Sequence, residues 1–310
     1  MSFCCPVKYK VSDLTRTLGK TVAVFLITLP LIACNSLFYQ PDKLNYSLPQ
    51  EISPSFEEFR VPVGSQTETL HVWSFRPKTA PLGTILHFHG NAQNMSSHVW
   101  FVAWLVDAGY EVVTFDYRGY GASTGSATRQ NTVEDGEAMI RWLAKRQSTE
   151  PFVIVAQSLG GAIAYSALAK LNGPNPVRAL IIESSFSSYR RLARLKLASF
   201  FLTWPLQWPL SYLVDDDLSP ESLAWQNPVS ILFIHGTADR VVPYSAGVDF
   251  SELAKRHKNN VSFYTDPKRG HTSCFASAQL SPCKERVLGF LNDNLQVHKK
   301  KNTQERTSGQ

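Results

Sequence analysis

A serine at a strand-to-helix corner is the first residue of this sequence with catalytic potential. Ser158 lies in VIVAQSLGGAIAYSALAK, where an apolar run gives way to a helical stretch. A turn this tight strains the backbone of the serine and exposes its hydroxyl, provided that the residues two before and two after it are small. These are Ala156 and Gly160. Glycine is usual at both positions, and one extra methyl group at Ala156 is tolerable.

A serine hydroxyl is a weak nucleophile, so it needs a base and a group that orients the base. Two later strand ends supply candidates: Asp239 in ILFIHGTADRVVP and His271 in YTDPKRGH. Serine, acid and histidine then follow in the chain order expected for this kind of corner. Glu183, at the end of the preceding strand, is an alternative acid in a poorer motif.

Attack on a carbonyl creates an oxyanion that needs two hydrogen-bond donors. We expect the backbone N–H of Leu159 to be one, and that of Asn91 in HFHGNAQN to be the other, with its neighbour Ala92 as the alternative. Arg118, in DYRGYGASTG, is interpreted as a clamp on a loop, or else as a ligand of a substrate carboxylate. No metal-ligand spacing and no phosphate loop occur in the sequence, so we predict no metal and no cofactor.

The elements that must position these residues alternate regularly along the chain. Apolar Val/Ile/Leu strands separated by amphipathic helices indicate a mostly parallel sheet with helices on both faces. We assign residues 59–297 to one such domain. Strands are predicted at Phe59–Val63, Leu70–Phe75, Gly83–His89, Glu111–Asp116, Pro151–Gln157, Val177–Glu183, Val229–His235 and Asn260–Asp266. Helices are predicted at Ser97–Asp107, Thr132–Arg146, Ser158–Leu171, Ala246–His257 and near Lys284–Leu295.

An insertion at residues 187–226 interrupts the alternation. A basic turn of helix is followed by five aromatic residues and two prolines, and an insertion of this size is usually functional. We predict a helical cap or lid. It packs on the sheet edge, lines an acyl-binding cleft, or dips into a bilayer interface. The five aromatic residues after the basic turn are Phe200, Phe201, Trp204, Trp208 and Tyr212.

Five motifs, in this order, resemble an α/β-hydrolase of the serine aminopeptidase-like (peptidase S33-type) group over nearly all the mature chain. The resemblance implies an α/β-hydrolase fold with a cap, and a catalytic triad of Ser158, Asp239 and His271. The expected activity is hydrolysis of a carboxylic ester, a thioester or an amide through an acyl-enzyme on Ser158. An aminopeptidase-like activity and a catalytically silent binding protein are the alternatives. The motifs are HFHGNAQN, DYRGYGASTG, AQSLGG, HGTADRVVP and GHTSC.

The first 33 residues have the anatomy of a signal peptide. Four basic residues precede TVAVFLITLPLIA, an apolar run too short to span the roughly 30 Å hydrocarbon core of a bilayer. Leu31 to Cys34 resembles a bacterial lipobox, which implies a lipidated Cys34. A plain signal peptide or a short uncleaved anchor is the alternative. Asn35 after the cysteine favours the outer over the inner membrane, and we expect a periplasm-facing protein of the cell envelope.

The remaining cysteines agree with export. We expect Cys4 and Cys5 to be removed with the signal peptide and Cys34 to be lipidated. Cys274 and Cys283 then remain as an even pair in an oxidising compartment. We predict a disulfide between them, with two free thiols as the alternative.

The bulk composition is that of a globular protein. Of the 310 residues, 44% are hydrophobic and 18% are charged, with a net charge of +6. No basic stripe with interleaved aromatic residues occurs, so nucleic-acid binding is not supported. We expect a monomer that acts on a small-molecule acyl substrate, with residues 34–58 as a linker and 298–310 as a disordered basic tail.

Overall fold

An eight-stranded sheet in the order β1-β2-β4-β3-β5-β6-β7-β8 forms the centre of the protein. The structure is a computed structural model that describes residues 38–64, 67–147, 151–276 and 279–308, with side chains to residue 295. The strands are β1 (Phe56–Val63), β2 (Glu68–Phe75), β3 (Thr84–Phe88), β4 (Glu111–Phe115), β5 (Phe152–Gln157), β6 (Val177–Glu183), β7 (Ser230–Gly236) and β8 (Asn260–Asp266).

The six strands from β3 to β8 run parallel, and the β1–β2 hairpin joins the sheet antiparallel to β4. Every residue of β3, β4 and β5 is buried, because helices cover both faces of the sheet. The predicted architecture, a mostly parallel sheet of eight strands between helices, is confirmed.

The helices divide between two hydrophobic cores, one on each face of the sheet. Helices α3, α4 and α7 pack on one face, and α2 and α9 on the other. Side chains of Asn94, Thr128 and Ser188 cap α2, α3 and α5, satisfying otherwise unpaired backbone N–H groups. The helices are α1 (Pro49–Ile52), α2 (Met95–Asp107), α3 (Arg129–Arg146), α4 (Leu159–Lys170), α5 (Tyr189–Ala198), α6 (Gln207–Ser211), α7 (Tyr244–Arg256), α8 (Ser273–Ala276) and α9 (Pro282–Ser308).

The insertion at residues 187–226 is helical. It contains α5, α6 and two 3₁₀ turns, at Trp204–Leu206 and Pro220–Ser222. Prolines begin or break these short elements, because proline cannot donate a backbone hydrogen bond inside a helix. We refer to residues 187–226 as the cap.

Two terminal segments differ from the expectation. Residues 38–58 are the described part of the segment 34–58 expected as a linker, and both ends of this part contact the domain: Phe38 and Tyr39 are buried, and β1 begins at Phe56 because that residue pairs with Phe75 of β2. At the other end the backbone of α9 continues to Ser308, through the segment expected to be disordered, which is rich in good helix formers such as lysine and glutamine. The predicted signal peptide, residues 1–33, and Cys34 lie outside the described residues.

Within the described ranges, no helix is both long enough and apolar enough to cross a bilayer.

Candidate active site

The corner between β5 and α4 gives Ser158 its position. Its backbone has φ +52° and ψ −122°, angles that an ordinary side chain adopts only under strain. The corner is tight because α4 approaches β3 closely. A Cβ added to Gly160 would lie 2.3 Å from the carbonyl oxygen of Phe88, so only glycine fits there.

Ser158, His271 and Asp239 form a continuous hydrogen-bonded chain. His271 Nε2 lies 2.9 Å from Ser158 Oγ, and His271 Nδ1 lies 2.8 Å from Asp239 Oδ2. The structure thus brings together three residues that the sequence separates by up to 113 positions. The geometry permits His271 to take the proton of the serine hydroxyl while Asp239 holds the imidazole ring.

Both oxygens of the Asp239 carboxylate accept hydrogen bonds. Oδ1 accepts hydrogen bonds from the backbone N–H groups of Val241 and Val242, at 2.8 and 2.9 Å, which leaves Oδ2 for His271. Burial opposes ionisation of Asp239, but hydrogen bonds from His235 and His271 outweigh it and hold the pKa of this carboxyl below its ordinary value. Asp239 is therefore a carboxylate at neutral pH, as an orienting acid must be.

Glu183 holds the loop that carries His271. Its Oε1 accepts from the backbone N–H groups of Cys274 and Phe275, at 2.9 and 3.4 Å, and its Oε2 accepts from Gln157 at 2.7 Å. Burial raises the pKa of Glu183 to about 7, although these hydrogen bonds act in the opposite direction. No hydrogen bond joins the Glu183 carboxylate to the His271 side chain. The acid that bonds the histidine is Asp239.

A disulfide closes the same region. Cys274 and Cys283 are bonded, with Cα atoms 5.7 Å apart, so α8 is linked to the start of α9. The loop after β8 that carries His271 is therefore held by Glu183 and, three residues beyond the histidine, by a covalent bond.

The loop after β3 borders the nucleophile. A Cβ added to Gly90 would lie 3.4 Å from that of Ser158, and Asn91 and Leu159 line the same cavity as the serine. Leu159 is the first residue of α4, so its backbone N–H has no acceptor within the helix. Both residues predicted to supply oxyanion donors therefore lie at the site. Ala92, the alternative, has φ +60° in the same loop.

Two distant segments and one residue of the loop itself support this loop. Asn91 Oδ1 accepts from the backbone N–H of Gln40 and from the hydroxyl of Tyr120, each at 2.9 Å. His89 Nδ1 pairs with the carbonyl oxygen of Gly90 at 2.8 Å, a local role in the turn rather than that of a base.

Arg118 acts as a clamp. Its guanidinium contacts Asp135 at 2.6 Å, Glu134 at 2.9 Å and Glu68 at 3.0 Å. The side chain is only 4% exposed, so these carboxylates occupy it and it is not presented to a substrate.

An apolar cavity of about 550 Å³ opens beside Ser158. Of the described residues that line it, Lys196 alone carries a charge. More than half of the lining residues belong to the cap. The cavity is lined by Phe38, Asn91, Ser158, Leu159, Phe186, Leu192, Ala193, Lys196, Leu197, Thr203, Leu210, Leu213, Val214, Val241 and Val242.

Phe38 is a site residue that the sequence analysis missed. It precedes the predicted domain, yet it is 9% exposed and packs edge-on against Tyr189 of the cap, with ring centroids 5.1 Å apart. The adjacent aromatic residues Phe38 and Tyr39 in an otherwise polar segment were the available signal.

No group of three histidine, cysteine or acidic side chains in the described part of the chain could hold a metal ion.

Known proteins share both this sequence pattern and this fold. The profile of the family described as Serine aminopeptidase, S33 matches residues 79–217. YfhR of Escherichia coli (strain K12) is 30% identical over 277 residues, which cover 87% of this chain and 91% of that protein. Lysophosphatidylserine lipase ABHD12 of Gallus gallus is 29% identical over 223 residues, 66% of this chain and 58% of that protein.

A solved structure agrees at the level of the fold. The Pyrococcus furiosus esterase Pf2001 superposes with a TM-score of 0.63 at 19% identity, covering 83% of this chain and 97% of that one. The predicted fold class is thereby confirmed. The chain belongs to the serine aminopeptidase S33 family of α/β-hydrolases.

Proposed function

We propose that this hydrolase cleaves carboxylic esters through an acyl-enzyme on Ser158. The observation that carries the proposal is the hydrogen-bonded chain from Ser158 Oγ through His271 to Asp239, at 2.9 and 2.8 Å. The positive φ of Ser158 supports it, because strained backbone of this kind occurs at nucleophiles.

The reaction has two halves. Ser158 Oγ attacks the carbonyl carbon while its proton moves to His271 Nε2, and the backbone N–H groups of Leu159 and Asn91 stabilise the oxyanion. The ester bond to the alcohol then breaks, and His271 returns the proton to the leaving oxygen. Water, deprotonated by His271, attacks the acyl carbon, and the acid leaves as Ser158 recovers its proton.

A fluorophosphonate probe tests the nucleophile. Wild-type protein is expected to be labelled at Ser158 and to hydrolyse p-nitrophenyl esters, whereas Ser158→Ala abolishes both. Ser166→Ala is the matched control, because Ser166 is a buried serine of α4 outside the site. A folded wild-type protein that takes up no probe would favour the alternative, a catalytically silent binding protein.

The cavity favours an ester with an apolar acyl part. It falls within the range of roughly 300–1,000 Å³ typical of small-molecule sites, and its walls are mostly aliphatic and aromatic. Each methylene buried there contributes about 0.8 kcal/mol. We therefore expect kcat/KM to rise about fourfold per added methylene until the cavity is filled.

Ala193 provides a test of this assignment. It lies on α5 in the cavity wall and is 8% exposed, so Ala193→Phe shortens the space for the chain. Hydrolysis of long-chain esters is expected to fall at least tenfold while acetate esters are retained. Ala198→Phe, on the same helix outside the cavity lining, is the control. An equal loss for acetate and long-chain esters would place the acyl group elsewhere.

An aminopeptidase-like activity has less support. Binding a free amino terminus calls for a carboxylate, and the charged residue among the described lining of the cavity is Lys196. Aminoacyl p-nitroanilides, compared with esters of similar size, separate the two activities.

We further propose that Cys34 is lipidated and tethers the enzyme to the bacterial envelope, facing the periplasm, with the outer membrane favoured. The sequence Leu31 to Cys34 supports this, because two or three acyl chains anchor a protein stably. Cys34→Ala is expected to abolish incorporation of labelled palmitate and to release the protein from membranes. Cys5→Ala is the control and is expected to change neither result.

A further inference from the structure

The cap exposes a large apolar surface next to the cavity. Phe201 is 76% exposed and Trp204 is 59% exposed. From such fractions the whole surface is on the order of 1,000 Å², against roughly 300–600 Å² for the largest apolar patch of a typical monomer. We call it the aromatic cap face. It consists of Phe200, Phe201, Leu202, Trp204, Leu206, Trp208, Leu210, Tyr212 and Leu213.

Cationic side chains lie among these apolar residues. The Arg194 guanidinium is 4.1 Å from the ring centre of Trp208, and that of Arg190 is 5.5 Å from the ring centre of Tyr212. In the described part of the chain, neither arginine has an ion pair with a carboxylate within 4.0 Å. Aromatic residues mixed with arginine are typical of surfaces at a membrane interface.

Two acidic residues of the cap have partners other than the arginine side chains of this face. Asp216 accepts from the hydroxyl of Ser188 and from the backbone N–H groups of Tyr189 and Arg190 at the start of α5, and Asp215 lies 3.6 Å from Arg129. In the part of the chain that the structure describes, no ion pair with a carboxylate neutralises the side chain of Arg190 or Arg194, which suits a partner with negative charge.

The cavity opens at the same face. Leu210 and Leu213 belong to the aromatic cap face and also line the cavity, and Val241 of the cavity lining is 53% exposed. A ligand released from a partner bound at the aromatic cap face could therefore enter the cavity directly.

The lipidation site proposed above lies close to the cavity along the chain. Cys34 precedes Phe38 by four residues, and four extended residues reach at most about 14 Å. Phe38 lines the cavity. A lipid on Cys34, as proposed above, or an uncleaved anchor at residues 21–33 would hold the cavity close to the bilayer, whereas a plain cleaved signal peptide would leave no attachment.

We propose that the aromatic cap face docks on a phospholipid bilayer with anionic head groups, with the mouth of the cavity against the lipid. A second copy of the chain is a poorer occupant, because a symmetric contact sets the same patch, with its arginines, against itself. The docking proposal draws in part on the lipidation proposed for Cys34, but not on the proposed ester hydrolysis. Delivery of substrate from the lipid phase rests on that hydrolysis.

Tryptophan quenching tests the docking directly. The full-length protein is bound to vesicles of phosphatidylglycerol and brominated phosphatidylcholine, in which bromine quenches only indoles that enter the bilayer. Trp204→Phe with Trp208→Phe is expected to remove most of the quenching, because these two indoles would lie in the boundary between head groups and acyl chains. Trp100→Phe is the control: Trp100 is 52% exposed and lies on α2, outside the cap. Quenching unchanged in the double variant overturns the proposal.

A kinetic measurement separates docking from catalysis. Phe201→Asp changes a residue outside the cavity lining, so hydrolysis of a dissolved short ester is expected to stay within about twofold, as for surface substitutions generally. Hydrolysis of an ester presented in the anionic vesicles is expected to fall about tenfold, because an apolar side chain no longer enters the lipid. If Phe201→Asp hydrolyses both the dissolved ester and the vesicle-bound ester as fast as wild type does, the proposal is wrong.

The remaining outcomes are also decisive. If the wild type hydrolyses no ester, the proposed function fails, while the quenching result still decides the docking. If the protein without vesicles sediments as a dimer that Phe201→Asp dissociates, the face is covered by a second copy and the bilayer proposal fails.

Discussion

The backbone N–H of Gln40 donates to Oδ1 of Asn91 across 2.9 Å. This bond ties the segment before the catalytic domain to the loop whose backbone we expect to stabilise the oxyanion. Tyr120 donates to the same oxygen at the same distance. The Asn91 side chain thus positions the loop whose backbone N–H we expect to act as the second oxyanion donor.

Asn91→Ala is therefore expected to lower kcat about tenfold with little change in KM. The backbone donor survives, but two hydrogen bonds that orient it are lost, each with a net contribution of about 1 kcal/mol. Tyr120→Phe removes one of the two donors and gives a smaller effect. Asn131→Ala, in a capping turn elsewhere, is the control. A rise in KM with kcat intact would mean that the Asn91 side chain binds substrate instead.

Asp239→Asn is expected to lower kcat by about 10³–10⁴-fold, because the amide no longer fixes the productive tautomer of the histidine. Glu183→Gln is the informative comparison. A glutamine oxygen still accepts from the Cys274 and Phe275 N–H groups, so this variant retains most of its activity. Steady-state hydrolysis of a p-nitrophenyl ester gives kcat for both variants. The reverse ranking would identify Glu183 as the orienting acid.

The disulfide is expected to stabilise the fold and the position of His271. It closes a loop with a sequence separation of 9, for which chain entropy gives about 2–3 kcal/mol. Replacing Cys274 and Cys283 by serine lowers the free energy of unfolding in urea by this amount. Dithiothreitol has the same effect on wild type and none on the double variant. Wild type that loses no stability on reduction would show that Glu183 alone holds the loop.

The raised pKa of Glu183 gives stability a definite dependence on pH. The folded protein binds the proton up to about pH 7, whereas the unfolded chain releases it near the ordinary value of 4.5. This contribution is complete below about pH 4.5, falls as pH rises through 7 and is then absent. Asp116 and Asp135, whose pKa values burial also raises to about 7, act in the same direction.

Urea unfolding at pH 5 and pH 8 measures this effect. The loss of stability between these pH values is expected to be smaller in Glu183→Gln than in wild type, because the amide does not titrate. Asp249→Asn, at an ion pair on the surface with Arg191, is expected to keep the slope of wild type. Equal slopes for Glu183→Gln and wild type would show that the carboxyl titrates alike in both states.

The sequence by itself determined the elements and the order of the site residues. Runs of Val, Ile and Leu predicted β5 and β6 to within one residue, and the small residues around Ser158 predicted its corner, because periodicity and turn chemistry act over a few neighbouring residues. Asp239 and His271 were recognisable for the same reason, each in a short motif after a strand.

The tertiary structure alone decided which groups support that site. Glu183 became the anchor of the His271 loop, and Phe38 and Gln40 joined the site from a segment expected to be a linker. The bond between Gln40 and Asn91 spans 51 positions, and that between Glu183 and Cys274 spans 91. Contacts at such separations depend on how the whole sheet is assembled. No local sequence pattern specifies these contacts, whereas five consecutive residues, 156–160, are enough to predict the corner at Ser158.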